Sequence, residues 1–161
     1  MKKDTIEELT PKEWLSPQIK LQLYYRKAFE YASANGLEAS HNKLLGNILT
    51  FVTLVLSTTT SILLLRGNNG DQGIIVVGAI FSAIVTGLTG FNSFMKYSQK
   101  YEEHANSVAE FSKIQRSIVN DLQTKNEQEF AKSFDSNAKA FGSARENMPL
   151  IAPDRLDKYK N

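Results

Sequence analysis

Two stretches without a single Asp, Glu, Lys, Arg or His, residues 44–65 and 72–95, stand six residues apart in the middle of this chain. They are 22 and 24 residues long. As helices they would rise about 33–36 Å, enough to cross a hydrocarbon core of about 30 Å. Bare backbone polar groups cost several kcal/mol each in lipid, so helices are the expected solution. The pattern predicts an all-α membrane protein: a two-span helical hairpin with an N-terminal amphipathic helix and a long heptad-patterned C-terminal helix.

The polar arms carry their own periodicity. Ser16 and Pro17 form a helix start, a capping hydroxyl followed by proline at the first helical position. Leu21, Tyr25, Ala28, Ala32 and Asn35 then give one largely apolar face, with Asn35-Gly36 either ending this helix or interrupting it before the first span. After the second span, Phe94, Tyr97, Tyr101, His104, Val108, Phe111, Gln115, Ile118 and Leu122 recur by threes and fours. This heptad-like seam begins inside the span, so span and following helix are expected to form one continuous rod. The residues from Tyr101 to Leu122 in it are the expected oligomer seam, with His104 and Gln115 serving packing or register. The pattern resumes weakly at Phe130, Phe134, Asn137 and Phe141, and Gly142 offers an end.

The expected division is a flexible N-terminus over 1–16, an amphipathic cytoplasmic helix over 17–43, transmembrane helices over 44–65 and 72–95, and a turn over 66–71. A coiled-coil-like cytoplasmic helix over 96–124, a short amphipathic helix over 127–142 and a mobile tail over 143–161 complete it. The turn, RGNNGD, has the glycines and asparagines that tolerate positive φ.

Within the spans, polar and small residues form stripes. Thr50, Thr53, Ser57 and Thr60 line one face of the first span. Gly78, Ser82, Thr86 and Gly90 recur at every fourth position of the second, beside Ala79, Ala83 and Gly87. Small ridges let helix backbones approach closely, and packing is a principal force between helices in lipid. Two readings follow: both stripes serve hairpin packing, or the hydroxyl stripe is the water-contacting wall of a pore. The absence of charge within the spans argues against a proton relay or a charged filter.

Charge alters the picture only at the flanks. The chain has 19 Lys and Arg against 17 Asp and Glu, a balance without the basic stripe expected of a nucleic-acid binder. Arg26, Lys27 and Lys43 precede the first span, Lys96, Lys100 and Lys113 follow the second, and Arg66 alone lies in the turn. Both termini are therefore expected in the cytoplasm, in a multi-pass membrane protein. No apolar leader core occupies the first 30 residues, so the first span is not expected to be a cleaved signal. Cysteine is absent, which excludes disulfide and thiolate chemistry. No phosphate-binding glycine loop, HExxH pair, serine elbow or Cys/His cluster occurs. No catalytic residue, cofactor or metal is expected, and the chain does not read as an enzyme.

The arrangement resembles the SLATT family of two-transmembrane effector domains. The resemblance runs over about residues 17 to 155. It rests on the amphipathic helix, the Leu44-Leu45-Gly46 opening of the first span and the brief turn. Its most specific part is GLTGFNSFMKYSQKYEEHANSVAEF, similar to the family's span-to-helix junction and containing His104 and Ala105. Phe111 falls where the family commonly has tyrosine, and Ile151-Ala152-Pro153 echoes its proline-bearing tail. The resemblance implies a homo-oligomer in the lipid bilayer that acts as an effector by forming pores in nucleotide-signalled conflict systems. This chain departs from the pattern in having no recognisable sensor domain, so its trigger would be a separate signalling protein or direct assembly. The rival expectation is a non-conducting scaffold or adaptor acting through its cytoplasmic helices.

Overall fold

A computed structural model describes residues 16–67, 72–153 and 155, without the side chains of residues 127 and 128. The sequence-read N-terminus over 1–15, the turn residues 68–71 and the tail positions 154 and 156–161 lie outside the described residues. Helices make up nearly all of the described residues, with no strand among them. The four helices are α1 (Pro17–Gly67), α2 (Gln72–Met95), α3 (Tyr97–Thr124) and α4 (Glu127–Glu146). They belong to two compact units, residues 1–38 with 103–161 and residues 39–102.

Helix α1 starts as the Ser16-Pro17 pair dictates. The Ser16 hydroxyl accepts from the Ile19 amide at 3.4 Å, and its carbonyl accepts from Lys20 at 3.0 Å. It then runs 51 residues, so residues 17–43 and the apolar stretch 44–65 lie in one helix. The Asn35-Gly36 pair neither ends nor interrupts it. The Asn35 amide donates to the Tyr31 carbonyl at 2.9 Å, while its Oδ1 meets His104 Nδ1 at 2.8 Å. A residue that elsewhere closes a helix is held inside this one by a tertiary partner.

The first unit is a three-helix bundle of the early part of α1, most of α3, and α4. Its core joins Leu21, Ala28, Phe111, Ile118, Phe130 and Phe141. Tyr31 stacks on Phe111 at 5.4 Å, and Phe141 meets both rings. Buried positions on α3 are His104, Ser107, Phe111, Ile114, Ile118 and Asp121. On α1, Leu21, Tyr24, Ala28, Tyr31 and Asn35 form the corresponding inner row, while Tyr25 is exposed. The pairs Asn35–His104 and Tyr31–Phe111 make α3 antiparallel to α1, and Asp121–Asn137 with Phe111–Phe141 makes α4 antiparallel to α3.

Two polar networks bracket this aromatic core. At one, buried Asp121 receives Lys125 at 2.7 Å and the Asn137 amide at 2.9 Å, with the Ser133 hydroxyl also donating to it. Helix α4 begins beside it with a capping box, Asn126 and Glu129 bonding each other's backbone amides. At the other, Arg155 pairs with Glu38 at 3.1 Å and donates to the Leu37 carbonyl at 3.0 Å. The Ala152 amide donates to Glu38 at 3.1 Å. The expected mobile tail is thus corrected for its described part: Ser143–Glu146 extends α4, and Ala152 and Arg155 are tied to α1.

These networks give the bundle a definite pH response. Because the Asn35 amide nitrogen is used on Tyr31, its Oδ1 accepts from His104 Nδ1–H. Burial pushes His104 below its ordinary 6.5, Glu38 and Glu103 pull it up, and Arg155 adds to the depression. Burial alone would raise Asp121, but hydrogen bonds from Lys125, Ser133 and Asn137, with the Lys125 charge, leave it below its ordinary 3.8. Each group binds protons more readily unfolded than folded, so stability falls with falling pH. His104 supports the fold fully above about pH 6.5 and progressively less as pH drops through its folded value; Asp121 does the same from about pH 3.8 downward. Full-length protein in detergent should therefore unfold at lower temperature at about pH 5.5 than at about pH 7.5, and His104→Asn should shrink that difference. A difference unchanged in the variant would assign the response to other groups.

Candidate functional site: the apolar hairpin

The second unit pairs the later part of α1 with α2, two helices long and apolar enough to cross a membrane. Their contact follows from two uninterrupted three-four rows. On α1 one row of less exposed positions is Gly46, Leu49, Thr53, Leu56, Thr60, Leu63 and Gly67, with Leu45 and Ser57 half-buried beside it, and on α2 the row is Ile74, Gly78, Phe81, Val85, Leu88, Asn92 and Met95. Glycines mark the closest approaches. A Cβ on Gly78 would meet Leu64 at 3.1 Å, and one on Gly67 would meet Ile75 at 2.9 Å.

The outer faces are apolar and open. Phe51, Leu54, Ile62, Val76 and Ile80 are each more than half exposed, and only 6% of the most apolar window of each helix is buried. A core helix of a soluble bundle would hide these side chains, each worth about 1.5–3 kcal/mol when removed from water.

The hydroxyl cluster is compatible with that surface because it is satisfied within its own helix. Thr53, Thr58, Thr59, Thr60 and Ser61 each donate to the carbonyl four residues back, at 2.8–3.0 Å. Thr86 and Thr89 do the same on α2. Of the expected wet stripe, Thr60 is buried, Thr53 and Ser57 are half-buried, and Thr50 is exposed. Thr53 and Thr60 lie in the row turned to α2, whereas Thr50 lies outside it.

The small-residue ridge is split as well. Gly78 packs on Leu64, whereas Ser82, Thr86 and Gly90 are exposed, and a Cβ on Gly87 or Gly90 would meet nothing within 4 Å. The expected oligomer seam divides differently. His104, Phe111 and Ile118 are buried in their own bundle; Tyr101, Val108, Gln115 and Leu122 are half-buried. The three buried residues pack within the chain's own bundle.

Sequence reasoning also missed the break between α2 and α3. Lys96 has φ 51°, in the left-handed region that favours glycine. The backbone bonds of the expected rod continue across it, Lys96 N–H to the Asn92 carbonyl at 3.1 Å and Lys100 N–H to the Lys96 carbonyl at 3.0 Å, but the exposed faces change phase there. The α2 row ends on Met95, with Phe94 at 80% exposure, and the next less exposed positions are Tyr97 and Tyr101 instead of Gln99 and Glu102. One left-handed residue re-phases the helix, and no glycine or asparagine in the sequence announces it.

Among the described residues no cluster of His, Cys, Asp or Glu could hold a metal ion. Comparison with family models, curated proteins and solved structures finds no match to this chain.

Proposed function

We propose that this chain is an integral membrane protein crossing the bilayer twice, with both termini cytoplasmic, and that it works as an oligomeric effector of the SLATT kind, permeabilising the membrane on assembly. The observation that carries the reading is the open face of α2, where Ser82, Thr86, Gly87 and Gly90 stand exposed on a helix without charge. Small residues allow close contact between copies in lipid, and hydroxyls can line a narrow, weakly selective lumen. The lysine and arginine bias toward the two polar arms supports the orientation. The resemblance supports the effector role and a separate signalling protein as trigger.

A second reading, the non-conducting scaffold, is favoured by a different observation: Thr53 and Thr60, half of the expected wet stripe, lie in the row turned to α2 of the same chain. Scanning single cysteines from 79 to 93, and at 53 and 57, with a small water-soluble thiol reagent in the assembled protein separates the two. The effector reading expects reaction at mid-span on the Ser82, Thr86 and Gly90 face, together with ion conductance of the assembled protein in planar bilayers. Reaction confined to the span ends in every assembly state would reject the pore and leave the scaffold.

A further inference from the structure

At one end of the hairpin, within the second unit, a cavity of about 280 Å³ opens between the start of the first apolar stretch and the α2–α3 junction. That is at the small end of ligand pockets, which run from about 300 to 1,000 Å³. We propose that it binds the phosphate-bearing headgroup of an anionic phospholipid. The inference rests on the membrane reading above and adds a ligand to it.

The lining has the chemistry such a headgroup requires. Lys43 supplies a cation, the Asn47 and Asn92 amides supply N–H donors, and Thr50, Ser98 and Tyr101 supply hydroxyls. None of the lining residues carries a carboxylate. The Lys43 ammonium lies 5.5 Å from the Tyr101 ring and that of Lys100 lies 6.0 Å from the Tyr97 ring, so cations flank the two aromatic walls. Lysine beside tyrosine at the end of an apolar span is the composition of a membrane–water interface, where acyl chains lie to one side and headgroups to the other. Basic pockets between spans on the cytoplasmic side suit anionic headgroups.

The backbone builds this pocket on purpose-made geometry. The left-handed Lys96 breaks the helix and re-phases it, bringing Tyr97, Ser98 and Tyr101 against Asn42–Thr50 of α1. Gly46 permits the approach, since a Cβ there would lie 3.3 Å from Tyr97 Cβ. A left-handed non-glycine residue costs on the order of 1 kcal/mol or more, and such residues concentrate at ligand sites. Phosphate chemistry could also come from a free anion in solution; the exposed apolar side chains of Leu44, Ile48 and Phe91, each next in sequence to a lining residue, favour the lipid, whose chains they would accept.

The test is native mass spectrometry of the full chain in mild detergent. Dioleoylphosphatidylglycerol is titrated against dioleoylphosphatidylcholine, and inorganic phosphate is added separately. The phosphatidylglycerol adduct should be retained at least about tenfold better than the phosphatidylcholine adduct. Lys43→Gln should weaken it about fivefold and Lys43→Gln with Lys100→Gln about 25-fold, following the contribution of each basic residue near an anionic surface. Asn47→Leu should weaken it with no change in charge, whereas Arg66→Gln should leave it unchanged. Equal retention of the two lipids, wild-type binding by the double variant, or an equal loss in Arg66→Gln would overturn the site. Displacement of the lipid by millimolar phosphate would overturn the lipid assignment and leave a free-anion site. Alkaline carbonate extraction of wild-type protein would instead reject the membrane reading, so the two failures are distinguishable.

Discussion

Replacing Ile84 by Asp should reduce membrane insertion of this chain by about two orders of magnitude, whereas Ile19→Asp should leave it unchanged. The two isoleucines are equally exposed, at 45% each. In water their replacement would have the same small effect, because surface substitutions usually stay within about 0.5 kcal/mol. In a bilayer Ile84 is near the middle of the second span, where an Asp costs about 2.5–3.5 kcal/mol. Ile19 is on the bundle arm, where water solvates the charge. The fraction of each variant retained in carbonate-washed membranes measures the difference. Equal retention would place both residues in the same solvent.

The second large effect lies in the bundle. Phe111 is fully buried, stacked on Tyr31 and in edge contact with Phe141. Phe111→Ala removes the ring from the centre of three helices and should destabilise the bundle by about 3–5 kcal/mol. That is a large part of the roughly 5–15 kcal/mol that holds a domain folded. Val119→Ala, on the exposed side of α3, should cost far less. Denaturant unfolding of the full chain in detergent gives the stability, and native mass gives the assembly state. Under conditions where the variant stays folded, its mass should match the wild type. Unchanged stability with a smaller assembly would return Phe111 to an interface between copies.

Residues 44–65 and 72–95 were legible because the absence of charge over twenty or more positions has few solutions; the second is α2 and the first lies within α1. The choice of inner row on α3 was not legible, because a three-four pattern fixes a period but admits adjacent rotations of the helix. His104, Phe111 and Ile118 belong to two such rows on α3. The sequence favours the row completed by Val108 and Leu122, whereas the folded bundle buries the one completed by Ser107 and Asp121. Asp121 is tolerated inside because Lys125, Ser133 and Asn137 meet it, and Ser133 and Asn137 come from α4. The hydroxyl stripe is the same case, since Thr53 and Thr60 satisfy both the expected wet face and the observed packing row.

Two departures had no local signal that could have decided them. Asn35-Gly36 reads as punctuation until His104, distant in sequence, is placed beside it. Lys96 reads only as one of the lysines that follow the second span, and nothing local announces its left-handed backbone. The polar lining at Asn47, Asn92 and Tyr101 is scattered across two helices and becomes a site only once they pair.

The central claim is that the chain crosses a bilayer twice with its polar arms on the cytoplasmic side. Single cysteines at Lys3, Asn69 and Lys158, exposed in intact cells to a membrane-impermeant thiol reagent, test it most directly. The account predicts modification of the position 69 variant alone, with all three modified after the membrane is opened. Modification at position 3 or 158 in intact cells, or release of the protein by alkaline carbonate, would contradict it.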